Sequence, residues 1–178
     1  MIDLTKRGLP NVVEIHGIPY SIYTDFRLWM RFEIEVSKLK KNQSIDVSYL
    51  FKNRMPSYCD LADLFVFSKP ASELPRQRSH SDVVALDYEI DADYIYSAFM
   101  SQYNIDLLEV EELHWHKFLA LLKGLKEDEV ISKIMSYRCY EKTDEKKDIY
   151  EELRHSWCIE RVSEEEQAER DKFSSMFN

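Results

Sequence analysis

Two Glu-x-x-His pairs, Glu111 with His114 and Glu152 with His155, are the residues best suited by type and spacing to chemistry. On a helix, positions three apart share a face, so each pair would present a carboxylate beside an imidazole. Two such pairs make half of a di-iron or di-manganese carboxylate site. The other half needs an inward glutamate on each of two further helices, and Glu33 and Glu35 are candidates that no surrounding pattern singles out. His114 adjoins an apolar run through Trp115 and Phe118, whereas Glu152 and His155 flank a narrow apolar seam in a charged segment. In a chain with 33 acidic residues, chance accounts for both pairs. The triplet His114-Trp115-His116 offers no chelate either, because helical residues two apart point roughly 200° from each other. That geometry sets His114 at the border of the core and predicts that His116 faces water.

Nucleophilic chemistry finds no better footing. Cys59 and Cys158 sit in acidic or apolar neighbourhoods that keep a thiol protonated. No GxSxG elbow occurs. The carboxylate pairs Asp60 with Asp63 and Asp91 with Asp93 fall where helices begin, and capping explains them. The three glycines, Gly8, Gly17 and Gly124, are too dispersed for a dinucleotide-binding turn or a phosphate loop. No catalytic, cofactor-binding or metal-ligating residue is assigned, and no cofactor is expected.

Charge narrows the partners. With 24 Lys and Arg against 33 Asp and Glu, the net charge of −9 repels phosphate backbones and anionic lipid. Nucleic acid and membrane are therefore not expected partners. No run approaches the roughly 18 apolar residues of a bilayer span. Met1 to Pro10 lack an apolar stretch of the secretory kind, and the three cysteines are odd in number and far apart. Reduced thiols in a cytoplasmic compartment are the expectation.

The elements that would position these residues are mostly helical. Val12, Val13 and Ile15, then His16-Gly17, then Ile18, Tyr20 and Ile22 predict a small N-terminal β-hairpin, with Pro19 marking an edge strand. Thr24-Asp25 can cap a helix whose Phe26, Trp29, Met30, Ile34 and Leu39 share a face. Ser57 and Asp60, at capping-box spacing, predict a second helix carrying Leu61, Leu64 and Phe65, ended at Lys69-Pro70. Residues 42–53 read equally as strand or short helix. Asp91 can cap a helix presenting Tyr94, Ile95, Ala98 and Phe99 and ending near Asn104. Asp106 with Glu109 predicts the start of another, through Trp115, Phe118, Leu119 and Leu122 to a Gly124 C-cap. A further helix is predicted over Glu127 to Tyr137. In the charged last forty residues Ile149, Leu153 and Trp157 recur every four residues, as in a helix that packs by one seam.

The expected fold is mainly α: a helical domain with a small N-terminal hairpin and a charged C-terminal helix. Its organisation is 1–68 hairpin plus helices, 69–86 linker or exposed loop, 87–140 helical core, and 141–178 charged helix and tail. Aromatics make up 13% of the chain, and Tyr94, Tyr96, Tyr103, Tyr137, Tyr140 and Tyr150 exceed what one small core buries. A protein-binding surface is the inference, and the Ile149/Leu153/Trp157 seam is the candidate partner contact.

Linked runs carry this further: Asp91 to Phe99 (DADYIYSAF), Gln102 to Leu107 (QYNIDL), Leu113 to Phe118 (LHWHKF) and Leu121 to Leu125 (LLKGL). With the Tyr20 to Arg27 stretch, they resemble the bacteriophage gene-product-fifteen family over about Leu9 to Tyr140. In that family a second Trp often stands where this chain has His116. The resemblance implies a tail assembly chaperone of long, non-contractile phage tails. Such a protein binds and solubilises the tape measure protein in the host cytoplasm, helps recruit tail-tube subunits, and is absent from the finished virion. It brings no catalytic residues, so no enzyme is expected, and it leaves self-association into a homo-oligomer open. A virion tail-completion or connector subunit is the alternative, and a di-metal carboxylate enzyme the third reading.

Overall fold

A computed structural model describes residues 2–40, 43–69, 83–140 and 149–159. Among them are a two-stranded sheet and six α-helices, the mainly α architecture that the periodicity predicts. The expected linker lies outside the described residues except for 69 and 83–86, as does the tail from residue 160 onward. The chain divides into two compact units, the first from 1–78 with 86–133 and the second from 79–85 with 134–178.

In the first unit, β1 (Val12–Ile15) and β2 (Ile18–Ser21) pair antiparallel, Val12 opposite Ser21 and Ile15 opposite Ile18. The connecting His16 and Gly17 have φ of 50° and 76°. Two successive positive angles match the right-handed twist of the strands, and glycine takes the second at no steric cost. Alternation turns Val13, Ile15 and Tyr20 inward. The ambiguous 42–53 stretch resolves as a 3₁₀ turn, Ser48–Leu50, followed by a bridge from Phe51 to Ile22.

Helix α1 (Phe26–Ser37) starts as predicted, with the Asp25 carboxylate accepting the Arg27 N–H at 2.9 Å. Helix α2 (Leu61–Ser68) is capped by Asp60, which accepts the Ala62 N–H at 3.0 Å. Ser57 is not its cap, because the residues from it to Cys59 are not helical. In α3 (Ala92–Tyr103) Asp91 holds the N-cap position, yet its carboxylate turns back to the Asp87 N–H. Asn104 closes that helix in the left-handed region, with the Ile105 N–H reaching the Phe99 carbonyl.

The largest departure from the sequence reading concerns α4, which spans Trp115–Lys123 and not the stretch from Asp106. Asp106 caps only a single turn, accepting the Leu108 N–H at 2.9 Å. The chain then extends, because Phe26 donates to the Leu113 carbonyl and Trp115 to the Thr24 carbonyl, at 2.8 and 2.7 Å. That exchange is a strand-like bridge between Asp25 and His114, the two N-caps. It sets the first turns of α1 and α4 side by side. Gly124 ends α4 with φ −89°, so its value lies in space: an added Cβ would meet the Tyr103 hydroxyl at 3.1 Å.

Rings fill the core between these helices. Phe118 stacks on Phe26, Phe99 and Trp115, with centroids 5.0, 5.1 and 5.5 Å apart. Trp29 lies against Phe67 at 4.4 Å. Both indoles are satisfied, Trp29 donating to the Tyr23 carbonyl and Trp115 to that of Ser68, each at 2.8 Å.

Helix α5 covers Val130–Arg138, starting three residues later than predicted because 126–129 form a turn, and α6 covers Ile149–Trp157. In the second unit Tyr150 of α6 stacks on Tyr140 at 5.3 Å and lies 6.2 Å from Tyr137. The buried Arg138 donates to the Trp157 carbonyl at 2.7 Å and the Ala85 carbonyl at 3.2 Å.

Candidate functional site: an apolar groove beside the first helix

Helix α1 has apolar side chains on more of its circumference than one core contact uses. Phe26, Trp29 and Phe32 are buried, whereas Met30 and Ile34, expected on the same face, remain half-buried. At roughly 100° per residue, Met30 and Ile34 sit about 100–140° round the helix from Trp29. They line one wall of a groove of about 310 Å³. Ala92, Ile95 and Tyr96 of α3 supply the facing wall, and Leu107 and Leu108 from the Asp106 turn close one side. Leu108 is 77% exposed, which is unusual for a leucine with this many apolar neighbours.

Arginines organise the groove. Arg27 ties the Asp106 turn to α1, Nη2 donating to the carbonyls of Leu107 and Val110 at 2.9 and 2.7 Å while Nη1 reaches the Asp25 carboxylate at 3.1 Å. Arg31 lies with its guanidinium 4.1 Å from the Tyr49 ring centroid and donates through Nε to Glu35 at 2.7 Å. The Tyr49 hydroxyl donates to the other Glu35 oxygen at 2.8 Å, and burial, together with that carboxylate, pushes the phenol's pKa up. Arg27 and Arg31 are the ionised groups of the lining, which contains no carboxylate.

His114 and His116 form a second polar cluster. His114 caps α4 with Nδ1, accepting the His116 N–H at 3.0 Å. That role leaves its Nε2 as the donor to the Pro10 carbonyl, 2.9 Å away. His116 is not in water but only 4% exposed. Its ring stacks on Phe67 at 4.5 Å and its Nε2 lies 2.8 Å from the Phe67 carbonyl. The prediction failed because it placed His114 inside a helix that in fact begins after it. The Trp that the family resemblance sets at this position was the available sign of a buried ring. Among the described residues, His116 Nδ1 is buried without a hydrogen-bond partner. Burial lowers the pKa of both imidazoles, which favours the neutral form.

The other sequence candidates divide cleanly. Glu111 lies in the exposed loop before α4, so Glu111 and His114 are not a helical pair. Glu152 and His155 are exposed on α6. Among the described residues, no three His, Cys, Asp or Glu side chains come together as a metal site would need. Burial holds the Cys59 thiol up at about 11, reinforced by Asp63 and Asp60. Ile149, Leu153 and Trp157 do share α6, with Ile149 68% exposed and the other two half-buried. Among the described residues, no helix is long and apolar enough to cross a membrane. The groove itself was missed: the sequence reading set Met30 and Ile34 on one face with Phe26 and Trp29 and singled out neither Leu107 nor Leu108 as a surface.

The chain is a member of the Bacteriophage Gp15 protein family, whose model matches residues 6–159. No curated protein and no solved structure matches it.

Proposed function

We propose that this phage protein is a tail assembly chaperone, binding the tape measure protein and keeping it soluble while a long, non-contractile tail is built. The observation that carries the reading is the apolar groove of about 310 Å³ left open beside α1 in a member of this family. A very long helical partner exposes apolar seams before assembly, and a groove between helices covers such seams. The charge of −9 keeps the resulting complexes apart. In this reading the chain acts non-enzymatically in the host cytoplasm, with tail-tube subunits as further partners and the α6 seam as additional contact surface.

Co-expression with the tape measure protein of the same phage tests the proposal. The tape measure protein is expected in the soluble fraction and in complex with this chain only when the two are made together. Unchanged solubility would overturn the reading. Mass spectrometry of purified virions adds an independent check: many copies in finished tails would identify a structural subunit instead.

A further inference from the structure

We propose that the groove between α1 and α3 seats the apolar face of an amphipathic helix from another polypeptide, and that a carboxylate one turn along that helix closes on Arg31. The proposal deepens the chaperone reading and rests on it for the identity of the polypeptide. The walls determine the occupant's shape. Phe26, Met30 and Ile34 recur every four residues along α1, while Ala92, Ile95 and Tyr96 stand at helical spacing on α3. Ridges at those spacings interlock with the ridges of a third helix. From Phe26 to Ile34 the wall runs about 12 Å, two turns of helix. A volume of about 310 Å³ is roughly twice the ~150 Å³ that holds a benzene-sized guest. Two large apolar anchors, four residues apart, therefore fill it.

Charge fixes the rest. Although the whole chain is strongly acidic, the ionised lining is two guanidiniums. Arg27 is committed to its own chain through both terminal nitrogens. Arg31 is committed through Nε, and its two terminal nitrogens have no hydrogen-bond partner among the described residues. Stacking on Tyr49 already holds the guanidinium in place, so little further order is lost when a carboxylate takes its free edge. A lysine at that place would instead meet the guanidinium as a like charge.

Two short designed helical peptides test this on the full chain, each with a leucine pair spaced by four and differing only in Glu or Lys one turn beyond. The Glu peptide is expected to shift the methyl signals of Met30, Ile34 and Ile95 and to bind about tenfold tighter than the Lys peptide, a ratio worth about 1.4 kcal/mol. Ala92 is exposed, so Ala92→Trp blocks the groove without disturbing the core and should abolish both interactions. Arg31→Glu should reverse the order of the two peptides. Equal affinities, shifts clustered elsewhere, or unchanged binding to the Ala92→Trp variant would each overturn the proposal. Co-expression separates it from the reading beneath it. If Ala92→Trp still keeps the tape measure protein soluble, the groove is not its seat and the chaperone reading survives. If the wild type fails on the tape measure protein while the peptides behave as expected, the groove proposal stands and the chaperone reading falls.

Discussion

Helices α4 and α6 both put apolar residues at helical spacing, yet they have opposite fates. On α4, Trp115 and Phe118 are buried to 1% and 0% exposure inside a stack of rings. On α6 no residue is buried, although Ile149, Leu153 and Trp157 repeat every four residues. Periodicity identifies a face, and the fate of that face depends on what the rest of the chain brings to it. To α4 the first unit brings Phe26, Phe99 and a strand-like bridge that fixes its first turn. To α6 the second unit brings a tyrosine cluster and the Arg138 guanidinium, contacts at the flank and the end.

The contrast breaks if Phe118→Ala is mild. We expect a loss of about 3–5 kcal/mol in urea denaturation, the usual cost of removing a buried ring, against under about 1 kcal/mol for Leu153→Ala. Arg138→Ala sharpens the picture of the second unit. Removing a charged donor from two carbonyls should cost about 1.5–3 kcal/mol and, in hydrogen exchange, expose the amides of α6 before those of α4.

Proton linkage gives a third test, confined to the first unit. His114 faces the Pro10 carbonyl, with Lys117 and Glu112 nearby, and His116 faces the Phe67 carbonyl and His114. Both pKa values are lowered from the ordinary 6.5, burial being the main cause. The unfolded chain therefore binds more protons than the folded one at pH values just below 6.5. The stability from this cluster is complete above that value and is lost as the pH falls through the lowered values. His114→Asn keeps a capping acceptor and removes one titrating group, so thermal melts from pH 7 to 5 should show a weaker acid dependence than wild type. His114→Ala should cost about 1 kcal/mol at pH 7 as well, the worth of a cap. The smallest effect is expected at Leu108, where Leu108→Ser should change stability by less than about 0.5 kcal/mol.

Much of the fold was readable from local chemistry. The hairpin followed from alternation around His16-Gly17, α1 and α3 from cap positions and spacing, and α6 from spacing alone. What was hidden depended on partners distant in sequence. Asp106 has the residues of a helix start, but hydrogen bonds from Phe26 and to Thr24 draw residues 113–115 straight and delay α4. His116 follows from that shift, since its burial depends on Phe67. The groove was obscured by an ambiguity within α1, where Met30 and Ile34 read as one face with Phe26 and Trp29 until the burial of Phe32 shows where the core lies.

The bridge that pairs Thr24–Phe26 with Leu113–Trp115 also sets a schedule for synthesis. The contacts that bury α1 arrive late, with His114 bonding a carbonyl 104 residues earlier and Arg27 one 83 residues later. At about 5–20 residues per second on a ribosome, Phe26 waits for several seconds before Phe118, the ring that stacks on it, is made. Nascent chains stopped short of α4 should thus be sticky, and arrival of residues 113–118 is the step that closes the first turn of α1.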